Sequence, residues 1–299
     1  MRSPAGQHVA SDDMASRVRA VEDLLNYRFK DKKLLEAALT HPSYADAESY
    51  QRLEFFGDAA LGLAISKEIF FDYPDVDQGK LTLLRSVNIS TEKLARVAVR
   101  HDLYQFVRRK AVPLDETVEA FVIAVEKEDE PELYGGSVPA PKVLADIVES
   151  VAAAVYVDCK FDLEALWAVF SKLLEPIVTL DALLRQPQPV TMLNDLCQKN
   201  GMGRRVRFEY EKEGDEYVAF VIRDGISICS ASSEKKKNAE LHAAKKSLEK
   251  LFGPTACREY ITEKISELNE TGEIEGAKQK LNDRYEFLTP SSRVQALSS

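Results

Sequence analysis

Cysteine is scarce in this 299-residue chain, and the four present (Cys159, Cys197, Cys229 and Cys257) are scattered with no CxxC pair. That spacing suggests neither a zinc site nor a disulfide framework, and a reducing compartment fits it best. Long apolar runs are missing as well. No stretch of about 18 apolar residues occurs, so no membrane span is expected. The N-terminal stretch MRSPAGQHVASDDMASR has no apolar h-region, which argues against a secretory signal, and residues 1–16 are expected to be disordered. Strand alternation is rare between residues 17 and 184. Basic charge is in deficit, with 40 Lys and Arg against 49 Asp and Glu for a net charge of −9. By itself that balance argues against a nucleic-acid partner, but the average conceals a segment. Residues 188–253 hold 12 basic and 10 acidic side chains, leaving 28 and 39 for the remainder. An acidic body carries a mildly basic module.

What is present over residues 17–184 is helical periodicity. VRAVEDLLNYRF and DKKLLEAALTH place Val, Leu and Ala three and four apart, with Asp31 as an N-cap for the second. Ser90 or Thr91 stands where it can cap EKLARVAVRHDL. The acidic, Gly- and Pro-containing segment EKEDEPELYGGSVPAP (126–141) reads as a surface loop. KVLADIVESVAAAVYVD follows as a long apolar helix, and FDLEALWAVFSKLLEPIVTL as another that Pro176 interrupts near its end. RQPQP (185–189) has the composition of a short stiff linker. Beyond it, residues 190–253 read as helix, three alternating strands and helix. The last of these helices opens on Lys235, Lys236 and Lys237. Residues 254–299 read as a charged tail, helical to about Asn282, in which Leu281-Asn282-Asp283 repeats Leu193-Asn194-Asp195.

Two pairs of acids stand out. Glu54 and Asp58, at i and i+4 in the apolar stretch RLEFFGDAAL, share one helix face, and Asp146 and Glu149, at i and i+3 in LADIVES, share another. Burying an unpaired carboxylate is costly, so such groups shift their pKa, find a partner or hold a metal. Four carboxylates brought together would offer hard oxygen ligands suited to Mg²⁺ or Mn²⁺. Helix capping and surface ion pairing are the plainer alternative.

RLEFFGDAAL resembles the signature of ribonuclease III, the nuclease family that includes Dicer. ALTHPSY (38–44), QGKLTLLRSVNISTEKLARVAVRHDL (78–103) and PKVLADIVESVAAAVYVD (141–158) resemble that family's pattern in the family's order. The resemblance implies a mainly α-helical endonuclease domain over residues 17–184, with Glu54, Asp58, Asp146 and Glu149 as catalytic metal-binding acids. It implies Mg²⁺- or Mn²⁺-dependent hydrolysis of double-stranded RNA, leaving 5′-phosphate and 3′-hydroxyl ends. Lys142 matches a family lysine near the scissile phosphate and equally reads as a solvated helix-start lysine. His41 and Ser43 read as a packed turn. A two-fold homodimer through the signature helix is also implied, with Phe55, Phe56 and Leu61 as its surface or, alternatively, as core. Its two sites across one duplex would leave short 3′ overhangs. Gln51 and Gln78 depart from acids found in many bacterial members.

The αβββα pattern of residues 190–253 resembles a double-stranded RNA-binding domain, with Lys235, Lys236 and Lys237 on the phosphates. Its first hairpin, EKEGDE, is acidic where that family commonly carries Gly-Pro-x-His. The combination resembles plant ribonuclease III-like proteins, some of which carry a second such domain, so the 254–299 tail reads as a truncated one. The expected role is processing of ribosomal or small-RNA precursors in nucleus and cytoplasm. A non-cleaving RNA-binding scaffold with the same fold is the alternative reading.

Overall fold

The computed structural model describes residues 14–271, apart from position 46 and segments 129–131 and 203–205. Most of the expected N-terminal disorder and the Leu281-Asn282-Asp283 repeat lie outside the described residues. In chain order the helices are α1 (Met14–Leu25), α2 (Lys32–Ala38), α3 (Gln51–Asp72), α4 (Gln78–Asn88) and α5 (Thr91–Arg100), then a 3₁₀ turn (Leu103–Phe106). There follow α6 (Val112–Glu126), α7 (Lys142–Asp158), α8 (Leu163–Leu174), α9 (Leu180–Arg185) and α10 (Pro189–Lys199). The strands β1 (Val206–Glu213), β2 (Glu216–Arg223) and β3 (Ile226–Ser233) precede α11 (Lys236–Leu251) and α12 (Gly253–Thr271). No helix among the described residues is long and apolar enough to cross a membrane.

Local sequence explains several helix starts. Asp31 accepts from Lys33 N at 3.0 Å, Asp77 from Lys80 N at 3.0 Å and Asp162 from Glu164 N at 3.0 Å, each filling an orphan donor of a first turn. Ser90 Oγ does the same for Lys93 N at 3.1 Å. Two expectations are corrected. Met14–Ser16, expected to be disordered, open α1. The expected interruption at Pro176 separates two helices: α8 stops at Leu174 and Thr179 caps α9. A proline has no N–H to donate and restricts the residue before it, so the chain breaks there. The second correction concerns the tail: its helix is present as α12, but it packs on the preceding module rather than standing apart as a charged tail. Its Tyr260 is 8% exposed and its hydroxyl donates to Asp195 Oδ2 at 2.7 Å, so α12 joins the core of the αβββα module.

By contacts the chain forms two compact units that interleave in sequence. The first comprises residues up to Leu61, Ala95–Asp115 and Lys142–Glu175. Its centre is α7, which is buried from Val143 to Val148 and again over Ser150–Val155, with α2, α8 and the 3₁₀ turn against it. A helix apolar on nearly every side belongs in a core, which makes the acids on it conspicuous. One of them is structural. Asp158, at the last position of α7, accepts from Tyr27 Oη at 2.7 Å, Asp31 N at 2.8 Å and Lys30 N at 3.1 Å. Burial works against its charge, but these donors outweigh that and hold its carboxyl below the usual range.

The second unit comprises Gly62–Leu94, Glu116–Pro141 and the chain from Pro176 onward. It holds the module with an antiparallel sheet of order β1-β2-β3. Met192, Leu193 and Leu196 of α10 and Ala239, Ala243, Ala244 and Leu248 of α11 pack with Ala219, Val221 and Ala231 of the sheet. The β1–β2 connection shrinks to the two residues Gly214 and Asp215, because the strands pair as far as Glu213 and Glu216. The β2–β3 turn uses Asp224 and Gly225 at φ +51 and +81, the left-handed pair that a tight hairpin requires. Asn88, buried at the end of α4, clamps Val178 through Nδ2 to its carbonyl at 2.9 Å and from its N–H at 2.8 Å.

Candidate functional site

Glu54 lies in the first turn of α3, its N–H bonded to the carbonyl of Tyr50 at 2.8 Å. Lys142 is the first residue of α7, directly after Pro141, and Asp146 and Glu149 follow on the next two turns. The two helices meet backbone to backbone at Gly57. A Cβ built on Gly57 would stand 1.8 Å from the carbonyl oxygen of Glu149, so no other residue fits there. That approach gathers the acids. Single carboxylate oxygens of Glu54, Asp146 and Glu149 lie within 4.8 Å of one another. Asp58, one turn further along α3, is exposed and stands outside that group, so three of the four expected acids form it.

The electrostatics follow from crowding. Burial pushes the Glu149 carboxyl up to about 8, with the charges of Asp58 and Asp146 adding to it. Burial also raises Asp146, against the pull of Lys142 and with the push of Glu54. Lys142 Nζ bonds both Glu54 and Asp146, the latter at 2.6 Å. Burial opposes its charge, yet the hydrogen bonds to Asp146 and Glu54 hold its pKa above the usual lysine range. Tyr50, 3% exposed, brings its hydroxyl 3.4 Å from Asp146 Oδ2. Its own proton is held by burial and by the charges of Asp146 and Glu54. An all-oxygen donor set whose nearest cation is one ammonium matches a hard divalent ion. His41 Nδ1 sits 2.8 Å from Ser43 Oγ and accepts from Ser43 N at 3.0 Å, as a packed turn requires.

The apolar residues of the signature divide. Phe55 is 80% exposed. Phe56 is half-buried, its ring 5.8 Å from that of Tyr156 and 6.1 Å from that of Phe161. Leu61 is fully buried, so its placement at a dimer surface is corrected: it is core, with no area to offer a partner. Phe161, 59% exposed, was not singled out from the sequence. It follows the end of α7, where Lys160 and Phe161 both take left-handed backbone at φ +59 and +62, and no periodicity signals such a position.

In the module, Lys235 is the N-cap residue of α11 and its Nζ donates to the carbonyl of Ala140 at 2.9 Å. Lys236 lies over the ring of Tyr210 at 3.8 Å, and Lys237 is exposed. Further along α11, Lys245 pairs with Glu132 and Lys246 donates to the Ser230 carbonyl.

Comparison with known proteins defines the class first. The model of the ribonuclease III domain matches residues 51–160, and that of the double-stranded RNA binding motif matches residues 189–251. Ribonuclease 3-like protein 2 of Arabidopsis thaliana is 47% identical over 282 residues, covering 94% of this chain and 71% of that protein. Ribonuclease 3-like protein 2 of Oryza sativa is 50% identical over 280 residues, covering 91% and 86%. Among solved structures, the nuclease domain of ribonuclease III from Campylobacter jejuni is 26% identical with a TM-score of 0.42, covering 54% of this chain and 97% of that one. The chain belongs to the ribonuclease III family and is an endoribonuclease of that type, with a double-stranded RNA-binding motif after its nuclease domain.

Proposed function

We propose that this chain hydrolyses double-stranded RNA with a divalent metal, Mg²⁺ or Mn²⁺, held by Glu54, Asp146 and Glu149 with Asp58 at the edge. The supporting observation is the cluster itself: three carboxylates within 4.8 Å, one pushed up to about 8, with a lysine ammonium supplying local positive charge. A divalent ion there supplies Lewis-acid stabilisation of charge on a phosphoryl group in transfer. The chain's own residues do the rest. Tyr50 and Lys142 orient Asp146, while Lys142, released from the acids, offers its ammonium to the RNA backbone. Water adds to phosphorus and the bond to the 3′ oxygen breaks, giving 5′-phosphate and 3′-hydroxyl ends. The lysines of α11 bind phosphates and A-form shape rather than sequence.

Incubation of long duplex RNA with the protein and Mg²⁺ is expected to yield short fragments with 5′-phosphates, and none when EDTA replaces the metal. RNA bound but left intact at every Mg²⁺ concentration would make the protein a non-cleaving binder.

A homodimer belongs to the same proposal. Exposed Phe55, with Phe161 on the half-buried rings of Phe56 and Tyr156, forms an aromatic surface of the kind partners cover. An isologous pairing of that surface sets two sites across one duplex and leaves short 3′ overhangs. Sedimentation should give a dimer for the wild type and a monomer for Phe55→Glu. A monomeric wild type at micromolar concentration rejects this part alone.

A further inference from the structure

We propose that residues 132–140 form an arm that docks along α11 through the Glu132 carboxylate and two backbone carbonyls, and competes with RNA phosphates for the cations of that helix. This rests on the reading of the module as a binder of double-stranded RNA. The segment lies in the same compact unit as the module. The Glu132 carboxylate takes Lys245 Nζ on both oxygens, at 3.0 and 2.9 Å. The Gly136 carbonyl lies 3.1 Å from His242 Nε2, and the Ala140 carbonyl accepts from Lys235 Nζ at 2.9 Å. Between them Gly135, at φ +34, lies so near Asn238 that a Cβ would stand 3.1 Å from its Oδ1.

The partners on the helix, Lys235, Asn238, His242 and Lys245, follow a spacing of three, four and three, so they form one stripe. The arm runs along it in the opposite direction, from Ala140 at the helix start to Glu132 near its third turn. A carboxylate and two carbonyls present the stripe with anionic and neutral oxygen acceptors, the chemistry of a phosphodiester backbone. Each contact is a polar surface contact and weak alone. A duplex carrying many phosphates displaces the arm, while the free protein keeps the ammonium groups of Lys235 and Lys245 engaged with it. Apparent RNA affinity is lowered by the fraction of molecules with the arm docked. Lys236 and Lys237, both exposed, remain to make first contact.

The test uses the full chain in EDTA with a duplex of about 30 base pairs, longer than the roughly 16 that one such domain spans. Glu132→Gln is expected to bind about threefold more tightly than wild type, the size of one surface ion pair. Glu119→Gln, which removes the same charge from an exposed position on α6, should leave affinity unchanged. Hydrogen exchange on the wild type should show the amides of 132–140 losing protection when RNA is added. Equal affinities for the two variants, or an arm that stays protected with RNA bound, overturns the arm alone. No binding by wild type or by Glu132→Gln overturns the RNA-binding reading of the module and the arm with it.

Discussion

Alanine at position 57 is expected to destabilise the fold by roughly 3 kcal/mol or more, at or beyond the upper end for overpacking, and to remove nuclease activity with it. In an ordinary helix the change from glycine to alanine stabilises by about 1 kcal/mol, so the sign itself is diagnostic. Here the new methyl would stand 1.8 Å from the carbonyl oxygen of Glu149 and 2.5 Å from its carbonyl carbon. Both atoms are backbone inside a continuous helix, and neither can rotate away. α3 and α7 must separate, which pulls Glu54 from Asp146 and Glu149 and opens the core beneath them. Thermal denaturation should show a fall of about 6 °C or more. A melting temperature at or above that of the wild type would refute the close approach.

Glu149→Gln is the second large effect. It keeps the shape of the side chain but removes the charge the metal requires, and a loss of cleavage on the order of a thousandfold is expected. Its effect on stability has the opposite sign. The folded chain holds the Glu149 proton up to a pH of about 8, whereas an ordinary glutamate releases it near 4.5. Between those values the unfolded state binds fewer protons than the folded one, so stability falls as pH rises. The contribution is fully present below about 4.5 and lost as pH passes 8. Glutamine has no proton to release, so melting curves from pH 5 to 9 in EDTA should fall more steeply for wild type than for the variant. Parallel curves would show that burial and the charges of Asp58 and Asp146 do not hold the Glu149 proton. Mg²⁺ favours the ionised form, so its affinity should climb with pH to about 8 and level off above it.

The site was half visible in the residues. Spacing alone put Glu54 with Asp58 and Asp146 with Glu149 on shared faces. It did not show that Asp58 would stay exposed while Glu54 turned inward, because i and i+4 positions are equivalent until a neighbour packs against one of them. Asp158 lies on the same helix as the site acids and is the same residue type as Asp146, yet it anchors the chain at Lys30 and Asp31. Phe55, Phe56 and Leu61 illustrate the same limit. α3 is apolar on most sides, so its period does not say that Phe55 faces outward and Leu61 inward. Within the segment read as a surface loop, Glu132, Gly136 and Ala140 bond to residues of the α11 stripe, and Tyr260 of the tail enters the module's core.

By itself the sequence determined the helical periodicity, most of the caps, the αβββα order and the residue types of the cluster. All of these are set by neighbours within a turn or two along the chain. Tertiary structure decided which acids meet, which aromatics stay on the surface and which lysines of α11 are engaged. Glu54 and Lys142 are 88 residues apart and Lys245 and Glu132 are 113 apart. Contacts over such separations depend on how closely whole helices approach, and in the site that distance is set by the missing side chain of Gly57.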